Sequence, residues 1–385
     1  MKIGIITFWN SNDNYGQVLQ CYALQWYLRK IGHSPFLIKY DYSSDFCKDA
    51  ENHIQDINRP FCHALKSKIK HVIKTLLTKA FCSKSNNLSS KLRNFDIFRQ
   101  NNIQSTPNVY YSLKELQQNP PEADIYIAGS DQIWNVNPVK WRHTAFFLNF
   151  GDMEIKKISY AASIARKDYP QEWMSTLASE LNRFSNISVR ELESVDICQQ
   201  CGIRASLVLD PTLLATKEAY TSFLTSFKRI EQLYLYIINI NSADELRIEE
   251  IMRAKGNLSI KATVSSGYLP ATKFIQNIEY EDSTVEKWLN NIATSQYVIT
   301  SSFHGVMFCI MFHTPFLFIP LRGQFSSGNN RVSSILAQLG ITERYLNEND
   351  DIEIKLHQPI NWEKVDEKLK ILRKVSTEWL KNAIS

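Results

Sequence analysis

The sequence predicts an α/β chain of two domains, each a parallel sheet covered by helices on both faces, and three observations predict it. Strand-like and helix-like segments alternate along the chain, as parallel pairing through crossover helices requires. Its 385 residues exceed what one core ordinarily serves. Five of the strand-like runs end in polar, chemically distinctive residues, where open parallel sheets bind ligands.

The elements follow in order. Residues 2–8 are a short apolar run with β-branched side chains, hence a buried strand. Residues 10–16 are a polar loop. Residues 17–30 carry Val18, Leu19, Tyr22, Ala23, Trp26 and Tyr27 at helical spacing, and Gly32 ends that helix. Further strands are expected at 35–40, 125–128, 157–162, 187–189, 206–209, 233–240 and 297–300. The strand pattern restarts at Leu233, so the domain junction is placed after Asp210-Pro211-Thr212. This gives a first domain at 1–212 with an insert near 42–110, a second at 213–360, and a segment at 361–385 that crosses back. Residues 362–380 read as one long helix against the first domain.

Composition is that of a globular chain, 44% hydrophobic and 22% charged, with a net charge of +5. Seven cysteines without framework spacing indicate reduced thiols, and Cys198 with Cys201 lacks the second pair a zinc site needs. No apolar signal segment opens the chain, and no run reaches the roughly 18 to 20 apolar residues that span a membrane, so a cytoplasmic protein is expected.

The most informative stretch is 297–316. An apolar run stops at Thr300, Ser301 and Ser302, His304 and Gly305 follow, and Val306 begins a second apolar stretch of two helical turns. A helix start presents unpaired N–H groups that attract anions, and an imidazole beside it adds a proton donor. The alternative is a buried turn whose serines cap the helix. The other strand ends are Trp9 to Gly16, Gly129-Ser130-Asp131-Gln132-Ile133-Trp134-Asn135, Arg190-Glu191 and Asp210-Pro211-Thr212. Amides and carboxylates that read hydroxyls, with tryptophan to stack on a ring, suit a sugar. Nucleic acid is a poorer match, because basic residues do not interleave with aromatics there.

Asn14-Tyr-Gly-Gln-Val-Leu-Gln20, Gly129-Ser-Asp-Gln-Ile-Trp134, Ser159-Tyr-Ala-Ala-Ser163, Ile187-Ser-Val-Arg-Glu191, Asp210-Pro-Thr212 and Ser302-Phe-His-Gly305 occur in that order. Together they resemble the polysaccharide pyruvyltransferase family from residue 1 to about residue 340. The resemblance implies a GT-B-like fold, two Rossmann-like domains facing a cleft. It also implies transfer of the pyruvyl group of phosphoenolpyruvate onto two hydroxyls of a sugar, forming a cyclic ketal and releasing phosphate. No metal or redox cofactor enters that reaction.

By the resemblance, Arg190 clamps phosphoenolpyruvate, His304 is the acid or a phosphate ligand, and Ser301, Ser302 and Gly305 hold phosphate. Asp131 or Asp210 is the base, and Arg331 is a second clamp. Asn14, Tyr15, Gln17, Ser130, Gln132 and Trp134 are the acceptor-side candidates. The chain departs from the family at one point: Ser302 stands where many members carry an arginine, so either Arg331, Arg322 or a lysine takes over that charge or the donor is held differently. Galactose in a capsular or exopolysaccharide repeat is the acceptor the family implies. Residues 61–84 hold six lysines and no acid along an apolar stripe, either an ordinary surface helix or one that meets an anionic membrane carrying a lipid-linked acceptor. Two other functions share the architecture, a nucleotide-sugar glycosyltransferase and a non-catalytic glycan-binding protein.

Overall fold

The computed structural model describes residues 1–42, 92–135, 145–238, 247, 250–263 and 279–385. The first sheet contains β1 (Lys2–Ile6), β2 (Ser34–Leu37), β3 (Ile125–Ala128), β4 (Lys156–Ala162), β5 (Asn186–Val189) and β6 (Ser206–Leu207). They pair in parallel in the order β2-β1-β3-β4-β5-β6. The second sheet contains β7 (Ile230–Tyr236), β8 (Ser259–Thr263), β9 (Glu279–Tyr280), β10 (Ser295–Thr300) and β11 (Phe316–Phe318). These also pair in parallel, in the order β11-β10-β7-β8-β9. Strand order reverses between β1 and β3 and again between β7 and β10, so each sheet is doubly wound with one switch point.

The helices that position the site are α1 (Tyr15–Lys30), α2 (Phe95–Asn102), α3 (Leu192–Gln200), α4 (Pro211–Leu214), α5 (Val285–Thr294), α6 (Phe303–Phe312), α7 (Asn329–Leu339) and α8 (Trp362–Ile384). Helix α1 starts two residues before the periodic pattern does, because the Asn14 side chain accepts from the Gln17 amide and opens it. It is buried nearly all round, since it packs on the first sheet through Leu24 and Leu28 and on the second domain through Val18 and Leu19.

One apolar cluster joins the domains. It unites Tyr15, Val18, Leu19 and Tyr22 of α1 with Trp288 of α5 and Phe308 of α6. The Tyr15 and Trp288 rings stack at 4.9 Å. Polar links run beside it: the Tyr15 hydroxyl donates to Ser283 O at 2.7 Å, and Arg93 pairs with Asp282 at 2.7 Å. Helix α8 belongs to both halves. Val365 and Leu369 lie in the interdomain cluster, while Leu380, Ala383 and Ile384 pack on Ile3, Ile125 and Ile158 of the first sheet. Arg373 donates to Leu213 O and Ser376 accepts from the Leu209 amide, both at 2.9 Å, so the helix returns to the first domain.

Strands β8, β9 and β11 are additions to the sequence reading. Two of them are only two and three residues long, too short to show periodicity. Helix α8 runs four residues past its expected end. The basic helix expected at 61–84 lies outside the described residues. Cys198 and Cys201 are free thiols, and burial pushes Cys198 up to about 12. Among the described residues, no helix is long and apolar enough to cross a membrane.

Candidate active site

The carboxyl ends of the first sheet build a buried ionic cluster around Arg190, whose side chain is 0% exposed. Its Nη1 donates to Asp210 Oδ2 at 2.7 Å and to Ser130 Oγ at 3.1 Å. Its Nη2 reaches Asp131 Oδ1 at 3.5 Å. Ser130 Oγ in turn donates to Asp210 Oδ2 at 2.9 Å. The other Asp210 oxygen accepts from the Thr212 amide and hydroxyl, which caps α4. Burial acts to raise the Asp210 carboxyl, but His304, Arg190 and the Thr212 amide hold it well below the usual carboxylate range.

Backbone strain collects at the same strand ends. Asp131, Ala161 and Ala165 have φ of 85°, 55° and 51°. Each such residue costs on the order of 1 kcal/mol and persists only where surrounding contacts over-determine it. Glu191 supplies several of those contacts. Its Oε1 accepts from Ser163 Oγ at 2.6 Å, the Ala165 amide at 2.9 Å and Ser194 Oγ at 3.0 Å.

The second sheet contributes β10 and the start of α6. Thr300 Oγ1 donates to Tyr236 O at 2.6 Å, and α6 passes directly above it: a Cβ at Gly305 would stand 2.3 Å from that oxygen. Only glycine fits there. Ser302 caps α6 by accepting from the Gly305 amide at 3.3 Å. Ser301 Oγ bridges the backbone of Ile238, donating to its carbonyl and accepting from its amide, both at 2.7 Å. His304 then projects toward the first domain. Its Nε2 stands 3.8 Å from Asp210 Oδ2, with only 9% of the side chain exposed.

Phe303 brings the second arginine in. The guanidinium carbons of Arg190 and Arg331 lie 4.8 and 5.3 Å from its ring centroid. Gln132, with its amide oxygen turned toward Arg331, accepts from Nη1 and Nη2 at 3.1 and 2.9 Å. Burial and the neighbouring Arg190 push Arg331 down to about 10. Within the described residues, Arg190 Nε, Arg331 Nε and His304 Nε2 are buried without a hydrogen-bond partner. Buried donors are ordinarily satisfied; Arg190 Nε and His304 Nε2 each face a carboxylate at 3.8 Å, Glu191 and Asp210, and Arg331 Nε is the donor left to suit an anionic ligand.

The structure thus gathers Arg190, Asp131, Asp210, Ser130, His304, Arg331 and Gln132 from five separated stretches of chain. It leaves others elsewhere. Trp134 is a correction: it is 0% exposed, stacks on Phe147 at 5.7 Å, and donates to Phe146 O, so it offers no face to a sugar. Tyr15 is a second correction, sealed in the interdomain core at 0% exposure. Asn14 serves as the cap of α1, and Gln17 Oε1 accepts from the Ser11 amide. The Ser301 and Ser302 hydroxyls are occupied by backbone groups, as in the capping alternative. Arg322 pairs with Glu348 at 3.0 Å. Sequence reasoning missed Phe303 as the ring beneath two guanidiniums and Glu191 as the strand-end brace. Both lie inside the quoted motifs, beside residues that were chosen.

Two doubly wound parallel sheets, joined through helices at their switch points with an ionic cluster at their strand ends, make a GT-B-like architecture. The particular family is settled by the sequence: the polysaccharide pyruvyl transferase model matches residues 14–321, and the chain belongs to that family. It is therefore a transferase, with a pyruvyl donor and a sugar or polysaccharide acceptor. No relative is found among curated proteins. Among solved structures, the UDP-GlcNAc 2-epimerase of Methanocaldococcus jannaschii, in complex with UDP-GlcNAc and UDP, is similar at 13% identity and a TM-score of 0.47, covering 97% of this chain and 99% of its own. An alpha-glucosyltransferase in complex with UDP and DNA is similar at 12% identity and 0.47, covering 100% and 95%. The UDP-GlcNAc 2-epimerase of Neisseria meningitidis is similar at 11% identity and 0.42, covering 98% and 100%.

Proposed function

We propose that the chain transfers the pyruvyl group of phosphoenolpyruvate onto two hydroxyls of a sugar and releases phosphate. The observation that carries the reading is the pair of buried guanidiniums on Phe303, beside His304, with Arg331 Nε left open. Phosphoenolpyruvate presents a carboxylate and a phosphate, and two forked cations match two such groups. The expected arginine is absent at Ser302, and Arg331 supplies the charge from α7.

The steps follow from the residues. His304 gives a proton to the vinyl carbon C3, which makes C2 electrophilic. A sugar hydroxyl attacks C2, and its proton passes to a carboxylate. Phosphate leaves with the C2–O bond pair, and the second hydroxyl closes the ketal by bonding to C2, its proton returning to the neutral imidazole of His304. Asp131 suits the base role better than Asp210. The latter has both oxygens committed to hydrogen bonds and is held deep in its ionised form, where it orients His304 instead. Ser130 and Gln132, expected on the acceptor side, hold the two guanidiniums instead, Ser130 accepting from Arg190 and Gln132 from Arg331.

Family membership supports galactose as the acceptor, with the ketal across its 4 and 6 oxygens, in a capsular or exopolysaccharide repeat. Assembly on a polyprenyl diphosphate at the inner face of the cytoplasmic membrane completes the reading. Donor binding is tested by thermal shift. At about a hundred times its Kd, phosphoenolpyruvate should stabilise the full chain by about 2.7 kcal/mol. Stabilisation by a nucleotide sugar with none by phosphoenolpyruvate would favour a glycosyltransferase.

A further inference from the structure

We infer that Gly16 is a positioning residue for His304, resting on the reading of His304 as the proton donor. Gly16 is the second residue of α1, at the switch point of the first sheet, and His304 is the second residue of α6, at the switch point of the other. The two helix starts meet there. A Cβ at position 16 would stand 1.9 Å from His304 Nδ1, 2.2 Å from Cγ and 2.7 Å from Cβ. All three of the nearest atoms belong to the imidazole residue; no other group is as close.

Nothing in the backbone asks for glycine at that point. Its φ lies outside the left-handed region, unlike Gly32 at the far end of the same helix. A glycine inside a helix is a worse helix former than alanine. What the missing Cβ provides is the seat of the imidazole ring. With the ring in that seat, Nε2 stands 3.8 Å from Asp210 Oδ2 and the ring edge meets Phe303 at 5.1 Å between centroids. An alanine would push the ring by roughly 1.5 Å to restore ordinary contact, moving Nε2 relative to Asp210 and to the donor. Because Gly16 and His304 belong to different domains, the same contact sets how closely the two switch points approach.

A stability cycle on the full chain tests the seat without any substrate. Gly16→Ala should lower Tm in the wild-type background. In the His304→Gly background, where ring and Cβ are both gone, the same change should leave Tm unchanged or raise it, as glycine to alanine does in an unobstructed helix. The His304 ring resonances in nitrogen-15 NMR should shift in Gly16→Ala. In turnover, kcat should fall about a hundredfold with KM for the donor nearly unchanged, the signature of a misplaced reacting group. Equal loss of Tm in both backgrounds, or unshifted ring resonances, would overturn the inference. If the cycle and the resonances respond as expected but no pyruvyl transfer occurs with any acceptor, the seat stands and the reaction assignment falls.

Discussion

His304→Gln is expected to reduce turnover by about 10²- to 10⁴-fold, the usual contribution of one positioned acid, while the fold survives. Glutamine retains a hydrogen-bonding tip of similar reach but cannot give up a proton. The Asp210 carboxylate keeps Arg190, Ser130 and Thr212 as partners, so no buried charge is orphaned by the change. The donor should still bind, because both guanidiniums remain. Steady-state kinetics beside a thermal melt check this, and unchanged kcat in a folded His304→Gln enzyme would remove His304 from the chemistry.

The two arginines should respond oppositely to removal. Arg190 is compensated by Asp210, Asp131 and Glu191, so Arg190→Met leaves buried carboxylates without a cation and should cost about 3–5 kcal/mol of stability. Arg331 is pushed down to about 10 by burial and Arg190, so its charged form is disfavoured on folding. The sign follows directly: the guanidinium costs stability at every pH below about 10, and the cost fades only as pH rises from there toward the ordinary arginine range. Arg331→Met should therefore leave stability unchanged or raise it at neutral pH, while donor affinity falls at least tenfold. Chemical denaturation and donor titration on both variants would separate a structural arginine from one maintained for a ligand.

Much of this was legible in the sequence because the chemistry-bearing residues sit immediately after strands, where a parallel sheet directs them to one edge. Arg190, Asp210 and His304 were chosen on that ground and lie together. A motif residue that turns inward is not legible in this way. Trp134 follows β3 by six residues, far enough for the chain to fold it beneath Phe147, and nothing in its neighbours announces which way it faces. Tyr15 shares that ambiguity: the position after Asn14 can face a ligand or a partner helix, and α5 decides it through Trp288. The serines of the 300–302 trio were double-valued from the start. Each hydroxyl satisfies a backbone group that the strand-to-helix turn would otherwise strand. The close approach of Gly16 to His304 lies beyond sequence reasoning, since it depends on how two domains meet.

Pyruvyl transfer is read out in the mass of the product. The full chain would be incubated with phosphoenolpyruvate and a panel of aryl and lipid-linked galactosides and glucosides, with phosphate release measured alongside. The account predicts acceptor-dependent phosphate and a product heavier by one pyruvate ketal, both lost in His304→Gln. No release with any acceptor, together with stabilisation by a nucleotide sugar, would contradict it.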